Sequence, residues 1–209
     1  MSHRRHRDPI PITLVLPPEP PAQDEIDAIL MAADAIVAEA GRAGVVLILN
    51  GSRSKKALAQ GWDKLPDYGR LSHLSADAIA RKVDWCIHHG WMRIEYDREI
   101  PLLVHSPKGW ERVKTLWVTR VLDWFASWSA AGTPEQVWPR LEHVHREIKF
   151  RVLDCIARDQ AVQLAPVLRV WFVYDVRAVR QAINATLQQM GLQSLTHPLH
   201  VGASDEQDG

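Results

Sequence analysis

The chain has 209 residues, with 25 Lys plus Arg against 25 Asp plus Glu, so it carries no bulk positive field to coat nucleic acid indiscriminately. Two cysteines exclude a disulfide framework, and the absence of a signal peptide or a long apolar run gives no pointer to export or to a membrane. A cytoplasmic protein is expected, nucleoid-associated if bacterial.

Residues 1–22 open with SHRRHRD and continue rich in proline, which reads as a disordered tail. A helical stripe follows in Ile26, Ile29, Leu30, Ala33, Val37 and Ala40, and Val45 to Leu49 suit a second, short helix. Next comes the loop NGSRSKK, Asn50 to Lys56, which combines a glycine, two hydroxyls and three cations before a candidate helix. Gly51 permits close backbone approach, Ser52 and Ser54 can donate to phosphate oxygens, and Arg53, Lys55 and Lys56 add charge. A helix N-terminus there would favour an anion. Read alone, the loop fits a helix cap with solvated lysines better than a phosphate site.

DKLPDYGRL, Asp63 to Leu71, links this loop to a helix capped by Ser75, with apolar face Ile79, Val83, Cys86 and Ile87 and a terminating Gly90. Two strand-like runs, Trp91–Tyr96 and Ile100–Ser106, flank a turn of Asp97, Arg98 and Glu99. Three helices and a hairpin, in that order, predict a winged helix. Its wing is short, with Tyr96 the aromatic nearest the turn. Arg93 and Arg98 put two cations on the hairpin.

The motifs GSRSKK, DKL-x-x-YG, LS-x-D-x-I, VDW-x-I-x-x-GWMRIE and PLLVHSPKG run in order from about Ala43 to Gly109. Together they resemble the RQC domain of RecQ-type helicases. The resemblance implies a winged helix that contacts duplex or branched DNA, with Arg93, Tyr96 and Arg98 of the wing at the backbone or groove without melting the duplex. The phosphate-binding loop of that family maps onto Gly51, Ser52, Ser54, Lys55 and Lys56, with Asn50 where a basic residue is frequent. Neither a phosphate-binding G-x-x-x-x-G-K-[ST] motif nor the zinc-binding cysteine cluster that precedes many RQC domains occurs in the chain. The resemblance is therefore to the module without its motor.

Residues 23–109 are expected as the winged helix, 110–192 as an all-helical domain and 193–209 as a second disordered tail. The fold class is mainly α with a small β-wing. In the helical half, Trp110, Val113, Trp117, Val121, Trp124, Phe125 and Trp128 line one face of a helix from Pro107 to about Ala130, read as core in preference to the alternative, a platform that stacks unpaired bases. Thr133 and Pro134 open a further helix to about Asp159, a helical segment runs from Pro166 to Gly191, and VLDCIARDQAVQLAPVLRVW, Val152 to Trp171, bears a loose likeness to one HEAT-type repeat. Cys86 and Cys155 read as buried thiols. His88 with His89, and His143 with His145, have poor spacing for helical metal ligands. No catalytic constellation appears, so neither an enzyme nor a cofactor or metal is expected. Two functions stay open: DNA binding through the winged helix, and a protein–protein adaptor that uses the tryptophan-rich half and keeps the winged helix as a relic.

Overall fold

The computed structural model describes residues 12–37, 39–97 and 100–196. It is mainly helical, with a single two-stranded antiparallel sheet among the described residues. The chain divides into two compact units between Leu116 and Trp117.

In the first unit, α1 (Gln23–Asp34), α2 (Arg42–Asn50) and α4 (Ala76–His88) pack on one another. Their core is Ile29, Leu30, Ile48, Leu49, Ile79, Val83 and Cys86, all withdrawn from solvent. Ser75 caps α4 by accepting the Ala78 N–H at 3.2 Å, and Gly90 follows the helix with φ 69°. Burial pushes the Cys86 thiol up to about 12, against the opposing pull of Lys108 and Lys82. β1 (Met92–Asp97) pairs with β2 (Ile100–His105) in the register Met92↔His105 to Asp97↔Ile100, and Met92 and Leu103 seat this wing on the helices.

α1 ends sooner than its apolar stripe suggests. The helix stops at Asp34, Val37 is exposed, and Ile36 turns into the core instead. The tail expected at residues 1–22 includes a docked stretch, because the Val15 N–H donates to Asp84 of α4 at 2.8 Å. Arg42 reaches the same carboxylate at 2.6 Å, so Asp84 is buried with two partners. Likewise, residues 193–195 of the expected C-terminal tail lie along α9 (Arg177–Gln189), where Asn184 exchanges two hydrogen bonds with the Leu195 backbone.

α5 (Pro107–Ala131) enters through a shared hydroxyl. Ser106 Oγ accepts the Gly109 N–H at 3.0 Å and lies 2.6 Å from the Gly90 carbonyl and 3.0 Å from that of Trp91. The first turns of α5 belong to the first unit, where Arg112 clamps Asp27 of α1 with bonds of 2.8 and 2.6 Å. Burial acts to raise the Asp27 carboxyl, but hydrogen bonds from Arg112 and Gln23, with the Arg112 charge, outweigh it and hold the group below the ordinary carboxylate value.

The second unit holds the rest of α5 and α6 (Val137–Leu141), α7 (Arg146–Arg158), α8 (Ala165–Tyr174) and α9. The long helix expected from Thr133 breaks into a 3-10 turn, α6 and α7. His145 caps α7 by accepting the Glu147 N–H at 3.3 Å, and Thr133 makes no capping bond. α7 packs chiefly on α9, and α8 on α9 and α6. Cys155 is only half-buried, unlike Cys86. Along α5, Val113, Val121 and Phe125 are buried as expected, but Trp110, Trp117, Trp124 and Trp128 keep part of their surface in solvent. The fully buried tryptophan is Trp171 of α8. A helical stripe identifies the inward face, and four indoles are too wide for the aliphatic cover available to them.

Candidate nucleic-acid interface

The NGSRSKK loop forms where α2 must turn back. Gly51 is its C-cap in the left-handed region, φ 72°, and its N–H bonds to the Ile48 carbonyl at 3.0 Å. A Cβ on Gly51 would stand 3.1 Å from the Gly69 Cα, itself at φ 72°. Two glycines therefore let the loop and the DKLPDYGRL segment touch backbone to backbone. The Gly69 N–H donates to the Ile48 carbonyl at 2.8 Å, and that of Leu71 to the Leu49 carbonyl at 2.9 Å. Asn50 adds a bond of 3.0 Å to the Leu74 carbonyl. The second motif is thus a brace that satisfies the end of α2. Gly51 faces that brace, so the close approach read from the sequence is to Gly69.

Beyond Gly51 the loop is fixed by its own serines. Ser52 Oγ accepts the Ser54 N–H at 3.3 Å, and Ser54 Oγ accepts the Ala57 N–H at 3.3 Å as N-cap of α3 (Lys55–Ala59). Each hydroxyl keeps its proton to donate. With five residues, α3 has little macrodipole, so the charge of this surface comes from side chains. Arg53, Lys55 and Lys56 are all exposed, and α3 carries no acidic residue. Lys56 Nζ lies 5.8 Å from the ring centroid of Trp62, a buried indole on the 3-10 turn Trp62–Lys64, which keeps the ammonium near the loop.

On the wing, Arg93 and Tyr96 are exposed, and Arg98 lies outside the described residues. Arg93 is engaged by Glu95, at 2.8 Å from Nε and 2.7 Å from Nη2, in a pair open to water on both sides. Such an exposed pair contributes little and exchanges readily for a phosphate. The loop residues Ser52, Arg53, Ser54, Lys55 and Lys56 are contiguous, whereas Arg93 and Tyr96 sit on a separate element.

Sequence reasoning missed the residues that set the wing's root. Ser106 and Gly109 join the start of β1 to the start of α5, and a Cβ on Gly109 would meet the Trp91 carbonyl oxygen at 2.0 Å. Their signal was present in the chain as S-P-K-G, an N-cap and proline pattern at the head of a helix. Among the described residues, no group of three or more His, Cys, Asp or Glu could hold a metal ion, and no helix is long and apolar enough to cross a membrane.

Helices α1, α2 and α4 followed by the β1–β2 hairpin define the first unit as a winged helix. Its residues match the family model of the RQC domain over 22–115, which supports an RQC-like domain, a winged helix of the DNA-binding type. No curated protein and no solved structure matches the chain.

Proposed function

We propose that the first unit docks on the phosphate backbone of duplex or branched DNA through Ser52, Arg53, Ser54, Lys55 and Lys56. The observation that carries this reading is the run of exposed cations on a loop held rigid by the Gly51–Gly69 contact and by two serine caps. Rigid donors lose little freedom on binding, and phosphate contacts fix position without reading sequence. On the wing, Arg93 contacts the backbone or groove as well; Arg98, read for the same role, lies outside the described residues. A double change, Lys55→Ala with Lys56→Ala, is expected to weaken binding to all duplexes alike. It should also flatten the dependence of log affinity on log salt by up to about two units. A folded double mutant with wild-type affinity and slope would refute the assignment.

The wing has no wedge role in this reading. Opening a base step costs a few kcal/mol, and the wing sets against it Tyr96, its exposed aromatic nearest the turn. A fluorescent base analogue at a duplex end should therefore stay stacked at saturating protein. Unstacking that Tyr96→Ala abolishes would show a wedge instead.

A second reading, a protein–protein adaptor, is favoured by Val173, Tyr174 and Val176, which expose 44%, 52% and 60% of their surface in the second unit. It forecasts no salt-dependent DNA affinity, so the same titration separates the two.

A further inference from the structure

In the second unit, three half-buried indoles follow one another along α5 and carry two guanidiniums. Trp117 and Trp124 meet edge to face at 6.1 Å between centroids, and Trp124 lies over Trp128 at 6.0 Å with 27° between planes. Arg120 of the same helix stands 5.3 Å from the Trp117 ring, and Arg140 of α6 stands 5.5 Å from that of Trp124. Val121 and Phe125 fill the core beneath, and the three indoles each keep part of their surface in solvent.

We propose that this ladder binds single-stranded nucleic acid, with unpaired bases stacking on Trp117, Trp124 and Trp128 and with Arg120 and Arg140 turned to the phosphates. Bases and indoles are both flat and apolar-faced, and every base offers a π-face whatever its sequence. Each phosphate supplies the anion that a guanidinium at the edge of an aromatic row requires. α5 reinforces the charge match. Past Glu111 its only carboxylate is Asp123, about 100° around the helix from Trp124 and so off the indole row. A protein partner is the poorer fit, because the large exposed aliphatic side chains described in this unit, Val162, Val173 and Val176, all lie off α5. The site goes beyond the phosphate clamp of the first unit and does not depend on it.

The test titrates the full chain against a fluorescein-labelled oligothymidylate of about 12 nucleotides, within the site sizes of single-strand-binding folds. An oligouridylate arm assigns the sugar, and binding to either strand supports the site. Trp124→Leu is expected to lower single-strand affinity about tenfold, the lower part of the range for losing one stacked base. Because that variant can fail to fold, Arg120→Gln with Arg140→Gln provides a surface test. This pair should reduce the single-strand salt slope by up to about 1.4 units and leave the melting temperature in place. Lys55→Ala with Lys56→Ala should leave single-strand affinity intact, which separates this site from the duplex clamp. Absence of wild-type binding to both oligonucleotides at low salt would overturn the proposal. So would a folded arginine double variant that binds as tightly, and as salt-dependently, as the wild type.

Discussion

Asp175→Ala is expected to destabilise the second unit by about 3–5 kcal/mol, the loss typical of removing one partner from a buried ion pair. Asp175 ends α8 and turns the chain into α9. Its Oδ2 accepts Lys149 Nζ and Trp171 Nε1, both at 2.7 Å, and its Oδ1 accepts the Val176 N–H at 2.8 Å. Lys149 is 7% exposed and Trp171 not at all, so water cannot replace the lost carboxylate without opening the core. Alanine would leave an ammonium, an indole N–H and a backbone N–H without that acceptor at once. Lys149→Met combined with Asp175→Ala should recover part of the loss, because the uncompensated charge goes with the lysine. Denaturant unfolding followed by helical circular dichroism measures both. A loss below about 1 kcal/mol for the single change would mean that the network does not hold the α8–α9 corner.

That corner illustrates what sequence periodicity leaves unread. The run from Pro166 to Gly191 is apolar at helical spacing throughout, so nothing local announces the break at Asp175; its partner Lys149 lies on α7. α4 was legible because its signals are local: a serine cap, an apolar face of which Ile79, Val83 and Cys86 are buried and Ile87 half-buried, and a glycine past the end. The wing strands were legible for the same reason, with the register following from a short turn. Gly51 was legible as special but not for its use, since only the fold brings Gly69 against it. The tryptophans of α5 show a different limit. Spacing places them on one face, but the extent of their cover depends on helices that join that face from elsewhere in the chain, and so does the arrival of Arg140 beside Trp124. Arg98, read as a wing contact, stays outside the described residues.

Gly109→Ala is expected to loosen the wing from the body of the first unit. The new methyl would stand 2.0 Å from the Trp91 carbonyl oxygen and 3.0 Å from its carbon, distances that no relaxed structure keeps. Neither neighbour is free to yield. The Trp91 carbonyl accepts the Ser106 N–H at 3.1 Å and lies 3.0 Å from Ser106 Oγ, and the Gly109 N–H is itself held by that oxygen. Either β1 must move off α5, or the first turn of α5 must unwind. Overpacking of this kind costs about 1–3 kcal/mol. For a unit of this size, 1 kcal/mol lowers the melting temperature by roughly 4–8 °C. Ser106→Ala, which removes only the hydroxyl, should cost about 1 kcal/mol, as other lost N-caps do. The order wild type, Ser106→Ala, Gly109→Ala in falling stability therefore distinguishes a steric lock from a simple cap. If the clamp and wing act on one DNA backbone, as proposed, Gly109→Ala should also reduce duplex affinity at temperatures where the protein stays folded, because Arg93 no longer sits at a fixed distance from Lys55 and Lys56. A Gly109→Ala protein that melts with the wild type would show that the wing root tolerates a side chain, and the lock would have to be abandoned.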